Sequence, residues 1–186
     1  MKNTGAKKIK RISISLCFAA ALCICLYAVG FSVKADNQAT INKYNVVVVL
    51  DSSGSMEDTD PDGNRYEAIG LFINLLTESG NNIGGVVFSN GVQLSEDIVS
   101  ADDQGTKDAF MEKLKSIAPT GWTDTGAGLE TAVYMIAEQG DPELPSVILY
   151  LSDGNTEMGT DTETEESLQR KADAIQKARE NNIQVY

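Results

Sequence analysis

Residues Tyr44–Leu50 carry four consecutive valines, Val46–Val49, with no alternation of polar and apolar side chains. Successive side chains of a strand face opposite sides of a sheet, so an unbroken apolar run needs apolar cover on both faces. That is the condition of a parallel sheet sandwiched between helices. The rest of the chain repeats the theme. Gly84–Phe88, Ser146–Leu151 and Ile183–Tyr186 read as further buried strands, and Val92–Leu94 as a short edge strand after the Asn90-Gly91 turn. Between them lie segments of helical period. Ala68, Leu71, Phe72, Leu75 and Leu76 mark one apolar helix face. Phe110, Leu114 and Ile117 mark a second, capped by Thr106 and broken by Pro119 and Gly121. Leu129, Ala132, Val133, Ile136 and Ala137 mark a third, starting near Thr125 and ending at Asp141-Pro142. Leu168, Ala172, Ile175 and Ala178 mark a fourth. Strand and helix alternate throughout, which implies an α/β fold: three layers, with a mostly parallel open sheet flanked by helices. Ile183–Tyr186 has nothing after it to pair or cover it, so the domain reads as cut short before its end.

The first 35 residues are of another kind. They hold six basic residues (Lys2, Lys7, Lys8, Lys10, Arg11, Lys34), no acidic one and a long apolar run from Ile12 to Val33. Val33-Lys34-Ala35 fits the small-x-small pattern of signal-peptide cleavage, with a cut after Ala35. The run is also long enough for an uncleaved anchor. Both readings put the domain outside the cytoplasm, secreted or at the cell surface. The residues before Cys17, Cys23 and Cys25 do not form a lipidation box. Asp36–Asn42 is a polar linker, and residues 43–186 form the domain.

The 15 basic residues less those six leave nine against 27 acidic ones, a net charge of −18 after residue 35. Such a surface repels nucleic acid and anionic lipid and attracts cations. All three cysteines lie in the leader and the chain has no histidine. Disulfide frameworks, cysteine or histidine zinc sites and Ser-His-Asp catalysis are therefore excluded from the domain.

Open α/β sheets bind ligands at the carboxyl ends of their strands. Three oxygen- and glycine-rich loops belong there: Asp51–Asn64, Gly121–Gly126 and Ser152–Asp161. In the first, Asp51-Ser52-Ser53-Gly54-Ser55 places three oxygen side chains at alternate positions of a tight turn. The second offers Thr123-Asp124-Thr125, and the third offers Asp153. Hydroxyl and carboxylate oxygens are hard ligands, suited to Mg²⁺, Mn²⁺ or Ca²⁺. A lone Asp-x-Ser-x-Ser is also what a capped turn looks like, because Asp and Ser bond their own backbone.

The three pieces Val-Val-Val-Leu-Asp51-Ser-Ser53-Gly-Ser55-Met, Gly121-Trp-Thr123-Asp-Thr125-Gly-Ala-Gly-Leu and Leu149-Tyr-Leu-Ser-Asp153-Gly154 together resemble the von Willebrand factor type A (vWA) domain, a Rossmann-like fold. The resemblance covers about residues 43–186. It implies a metal-ion-dependent adhesion site in which Ser53 and Ser55 bind the ion directly, Thr123 binds directly or through water, and Asp51 and Asp153 act largely through water or by orienting the hydroxyls. An ion held mainly by neutral hydroxyls keeps much of its charge and attracts a carboxylate from a protein partner. The implied function is metal-bridged adhesion and not catalysis. An accessory role in a membrane or envelope complex, using the same site for assembly, is the alternative. A haloacid-dehalogenase-like phosphotransferase would also place an Asp after the first strand. It needs a second Asp where this chain has Ser53, and a Lys that none of the three loops carries.

Several neighbours lie outside this ligand set. Thr125 is taken as the cap of the following helix, Asp124 as a solvated residue and Trp122 as either a binding-face aromatic or loop packing. Asp58, Asp60 and Asp62 imitate the start of a calcium loop. Ile69 stands where an EF-hand needs its bidentate Glu, so the stretch reads as an acidic loop beside the main site.

Overall fold

The computed structural model describes residues 43–76 and 80–186. The leader (1–35) and the linker (36–42) lie outside the described residues. Among the described residues no helix is long and apolar enough to cross a membrane.

The elements run β1 (Asn45–Asp51), α1 (Met56–Thr59), α2 (Asn64–Leu75), β2 (Asn82–Phe88), β3 (Val92–Ser100), α3 (Gln104–Lys115), α4 (Thr125–Gln139), β4 (Ser146–Leu151), α5 (Asp161–Glu180) and β5 (Ile183–Val185). They build one sheet of order β3-β2-β1-β4-β5. β2 and β4 pair parallel with β1, and β5 pairs parallel with β4; β3 alone is antiparallel, against β2. This is the mostly parallel, helix-flanked sheet that the valine run demands.

Every position of β1 is buried. Its period of two divides the run between two cores. Val47 and Val49 join Val86, Phe88 and Ile148 under α4 and α5, meeting Leu129, Ala132, Val133, Ile136, Ala174 and Ala178. Val46, Val48 and Leu50 join Ile83 and Val87 on the other face, under Ile69 and Ile73 of α2 and Phe110 and Leu114 of α3. Each such side chain contributes about 1.5–3 kcal/mol by leaving water. β1 and β2 thus each feed both cores.

Several local expectations need correction. On α2 the inward residues are Ile69 and Ile73, while Leu71 and Leu75 are 66% and 68% exposed. The helix is apolar almost all round, and Ile69, Phe72, Ile73 and Leu76 satisfy the same helical spacing as the set chosen from the sequence. On α5 the buried residues are Ser167, Ala174 and Ala178, with Leu168 and Ala172 outside. α5 lies so close to α4 that a Cβ on Gly126 would fall 2.3 Å from the carbonyl oxygen of Ser167, so small residues form the contact. On α4 Ala137 is exposed and Met135 takes an inward place. β3 runs on to Ser100, well past Leu94. The cap of α3 is Asp103, whose Oδ2 accepts from the Thr106 amide at 2.9 Å, and Ile117 lies beyond the helix end.

Register decides where the site forms. Asp51 lies beside Phe88, and Leu50 beside Leu151. The chain therefore leaves β1, β2 and β4 at the same edge of the sheet. The loop after β1 is not wholly irregular, since Met56–Thr59 forms the single turn α1.

Candidate functional site

Asp51 ends β1 and is completely buried. Its Oδ1 accepts from the Ser53 amide at 2.7 Å, and its Oδ2 accepts from the Ser152 hydroxyl at 2.6 Å. The carboxylate thus shapes its own turn and also ties it to the end of β4. Both donors are neutral, and no Lys or Arg pairs with Asp51 among the described residues. A buried carboxylate without a countercharge is costly, which favours a cation nearby.

Around it the oxygens form a chain. Ser53 Oγ lies 3.1 Å from Ser55 Oγ, and the Ser55 hydroxyl donates to Asp153 Oδ1 at 3.1 Å. Asp153 Oδ2 accepts from the Thr59 hydroxyl on α1. Adjacent ligands of an octahedral Mg²⁺ bound at roughly 2.1 Å stand about 3 Å apart. The spacings of 3.1 Å match that edge, so the donor set fits a small hard divalent cation. Among the described residues no three His, Cys, Asp or Glu side chains gather as a metal cluster would. The candidate set is distinguished by its hydroxyls.

Thr123 reaches the same edge by way of the backbone. The Gly54 amide donates to the Gly121 carbonyl at 3.0 Å, and the Thr120 amide donates to the Ser52 carbonyl at 2.8 Å, so the second loop is laced to the first. Gly121 has φ +74°, where a side chain is strained, and a Cβ there would meet Asn90 Oδ1 at 2.2 Å. The same Asn90 oxygen accepts from the Trp122 amide. Thr123 pairs with Glu157 in a two-bond bridge, its amide donating to the Glu157 carbonyl at 2.7 Å and the Glu157 amide returning a bond at 3.2 Å. Thr123 is buried, whereas Trp122 is 46% exposed on the loop surface.

Two neighbours differ from expectation. Asp124 is buried and not solvated: it caps α4 by accepting from the Ala127 amide at 3.1 Å, and it takes further bonds from Ser167 and Arg170. Thr125 is not the cap but the first helical residue, its hydroxyl bonded to that of Thr156. The sequence pointed to neither Thr59, Ser152 nor Arg170. Ser152 stands beside Asp153 and is a loop oxygen like the others; nothing local marks Thr59 or Arg170.

The acidic loop serves the fold. Asp60 Oδ1 accepts from the Asn64 amide at 2.6 Å, and Oδ2 accepts from Arg65 Nη1 at 2.7 Å and the Arg65 amide at 3.2 Å. Burial works to raise the Asp60 carboxyl's pKa, but the hydrogen bonds from Arg65 and Asn64 outweigh it and hold the group below its ordinary value. Asp60 is therefore committed to starting α2 and to pairing a buried arginine.

The model of the von Willebrand factor type A domain matches residues 45–186. A curated relative, calcium-activated chloride channel regulator 1 of Mus musculus, is 28% identical over 109 residues, covering 59% of this chain and 12% of that protein. Among solved structures, a von Willebrand factor type A protein from Catenulispora acidiphila superposes with TM-score 0.61 at 21% identity, over 77% of this chain and 32% of the other. The pilus adhesin SpaC from Lactobacillus rhamnosus GG, in its open conformation, gives 0.54 at 24% identity, over 64% and 16%. Proximal thread matrix protein 1 of the mussel byssus, described with a zinc-occupied MIDAS motif, gives 0.56 at 16% identity, over 77% and 37%. The chain thus spans about an eighth of the curated relative and about a third or less of the first two structures. These likenesses show the fold; what the relatives bind belongs to them.

Proposed function

The chain belongs to the von Willebrand factor type A domain family, and from that premise we propose that it is an exported binding module that grips a protein partner through one divalent cation. Ser53 and Ser55 hold the ion by their hydroxyls, and Thr123 completes the set. Asp51 and Asp153 orient those hydroxyls and balance the charge. The ion, when bound, supplies a positive centre for an Asp or Glu carboxylate of the partner. Mg²⁺ is the first choice, with Mn²⁺ and Ca²⁺ accepted by the same oxygens. The leader read at residues 1–35 carries the domain out of the cell, and the partner is a protein of the cell surface or its surroundings.

One observation carries this reading: the run Ser53 Oγ, Ser55 Oγ, Asp153 Oδ1 at successive spacings of 3.1 Å, above a buried Asp51 carboxylate. A capped turn needs the Asp51–Ser53 bond alone. It gives no reason for Asp153 to arrive from a different strand and meet Ser55. The neutral hydroxyls matter for function, because they leave the ion electrophilic enough to hold an outside carboxylate.

The test is calorimetric titration of Mg²⁺ and Mn²⁺ into the full chain in mild detergent, beside the Asp51→Ala, Ser53→Ala double variant. One saturable site, lost in the double variant, is the expected result. Absent binding, or binding indifferent to both substitutions, would return the loop to the status of a capped turn.

A further inference from the structure

Asp124 is one residue from Thr123, yet its side chain is turned to a different task. Its Oδ1 accepts from the Ala127 amide at 3.1 Å, from the Ser167 hydroxyl at 2.5 Å and from Arg170 Nη2 at 2.9 Å; its Oδ2 accepts from the same Nη2 at 2.8 Å. Ser167 is fully buried, and its Oγ also accepts from the Gly126 amide at 3.2 Å. The Asp124 amide is held by the Ser89 carbonyl at 2.7 Å. The hydroxyl of Thr125 meets that of Thr156, just before α5. Capping α4 requires only the Ala127 bond. The additional donors come from one face of α5, across a helix pair packed close enough that Gly126 has no room for a side chain.

We propose that Ser167 and Arg170 of α5 are positioning residues for the metal site, acting through Asp124 to hold the backbone that carries Thr123. This rests on the metal-binding reading above and names what governs its affinity. Thr123 is held on one side by its bridge to Glu157 and on the other by the residue that follows it. That residue, Asp124, is tied through its amide to Ser89, just past the end of β2, and through its carboxylate to α5. Releasing the carboxylate from α5 leaves the Thr123 backbone with one fewer fixed side, so its hydroxyl must be ordered when the ion binds. Groups that orient metal ligands from behind typically change affinity 10–100-fold when removed. It follows that a shift of α5 along α4 reaches the ion without touching it.

The experiment titrates Mn²⁺ into the full chain and into Arg170→Gln, Arg170→Lys and Ser167→Ala, and records unfolding temperature in chelator for each. Trp122, the chain's single tryptophan, adjoins Thr123 and reports the loop by its emission. Gln139→Ala is the stability control. It removes bonds to the Ile98 amide and to Asp97 at the far end of α4, about 20 Å from Thr125 at 1.5 Å per residue. Arg170→Gln is expected to raise the Mn²⁺ Kd roughly tenfold and to shift Trp122 emission, with Arg170→Lys intermediate and Gln139→Ala unchanged in affinity. Ser167→Ala carries the test if Arg170→Gln does not fold. Wild-type affinity in both Arg170→Gln and Ser167→Ala overturns the proposal, as does an equal loss in Gln139→Ala. If the wild-type chain itself binds no Mn²⁺, the failure lies in the metal-binding reading, and the positioning role falls with it.

Discussion

The Gly54 amide donates to the Gly121 carbonyl at 3.0 Å, joining the turn after β1 to the loop before α4. With the Thr120 amide's bond to the Ser52 carbonyl, it brings the turn that carries Ser53 and Ser55 against the loop that carries Thr123. The bond also explains why two glycines stand there. A Cβ on Gly54 would lie 3.3 Å from the Gly121 oxygen, and Gly121 itself holds φ +74° against Asn90.

Gly121→Ala should therefore destabilise the domain by about 1–3 kcal/mol, the usual cost of a side chain in a left-handed conformation with a steric clash added. Gly154→Ala, where nothing lies within 4 Å of the new Cβ, is the control and should stay within about 0.5 kcal/mol. Denaturant unfolding of both variants decides the matter; equal stability would mean that the loop relaxes around the methyl group.

Asp60→Ala removes the partner of Arg65, whose side chain is only 6% exposed. Stranding a buried guanidinium costs about 3–5 kcal/mol, whereas exposed Asp58→Ala should cost less than about 0.5 kcal/mol. The carboxyl's pKa is held below its unfolded value, so this stability is present above the unfolded pKa and is lost as pH falls through the folded one. Acid titration of stability should accordingly show a smaller low-pH loss in Asp60→Asn than in the wild type. A Mn²⁺ affinity that falls in Asp58→Ala would instead revive a second cation site in this loop.

Tyr150 packs on Phe88, ring centroids 5.9 Å apart, directly below the site. Burial pushes its hydroxyl up to about 12, and the charges of Asp51 and Asp153 push the same way. The folded state prefers the neutral phenol, so this contribution is intact below an unfolded pKa of about 10 and disappears as pH rises through about 12. An alkaline phenolate step in the ultraviolet spectrum should be missing from Tyr150→Phe. A step that persists there belongs to another tyrosine.

Binding of Mn²⁺ to the folded form alone must stabilise it. At a hundredfold excess over Kd the gain is about 2.7 kcal/mol, reversed by chelator. Thermal unfolding should show the shift in the wild type and none in Asp51→Ala, Ser53→Ala; a shift in both would assign the ion to some other part of the chain.

Much of this arrangement was legible before any fold was known. The valine run had to be covered twice, because a strand faces both ways, and that alone called for helices on two sides of a sheet. The strand ends then placed Asp51 and Asp153 at one edge, since the parallel strands β1 and β4 both finish there; Thr123 follows no parallel strand and is brought to that edge by the backbone bonds of its loop. Less legible was the inward face of each helix. In α2 two overlapping sets of apolar residues meet the helical spacing, and only the sheet chose Ile69 and Ile73 over Leu71 and Leu75. In α5 the buried face is Ser167, Ala174 and Ala178, because closeness to α4 outweighed apolar area.

Local chemistry and distant geometry therefore divide this protein between them. Burial preference, strand period and the affinity of oxygen for hard cations act on residues near in sequence, so the chain alone determined the two-sided β1 and the oxygen-bearing turn Asp51–Ser55. Whether Asp124 is solvated or pinned, and whether Asp153 meets Ser55, depends on groups that arrive from other elements. A hydrogen bond has a range of about 3 Å and no sequence signature at such separations. Only the packing of α5 on α4 could bring Arg170 to Asp124, and only the register of β1 with β4 could bring Ser152 to Asp51.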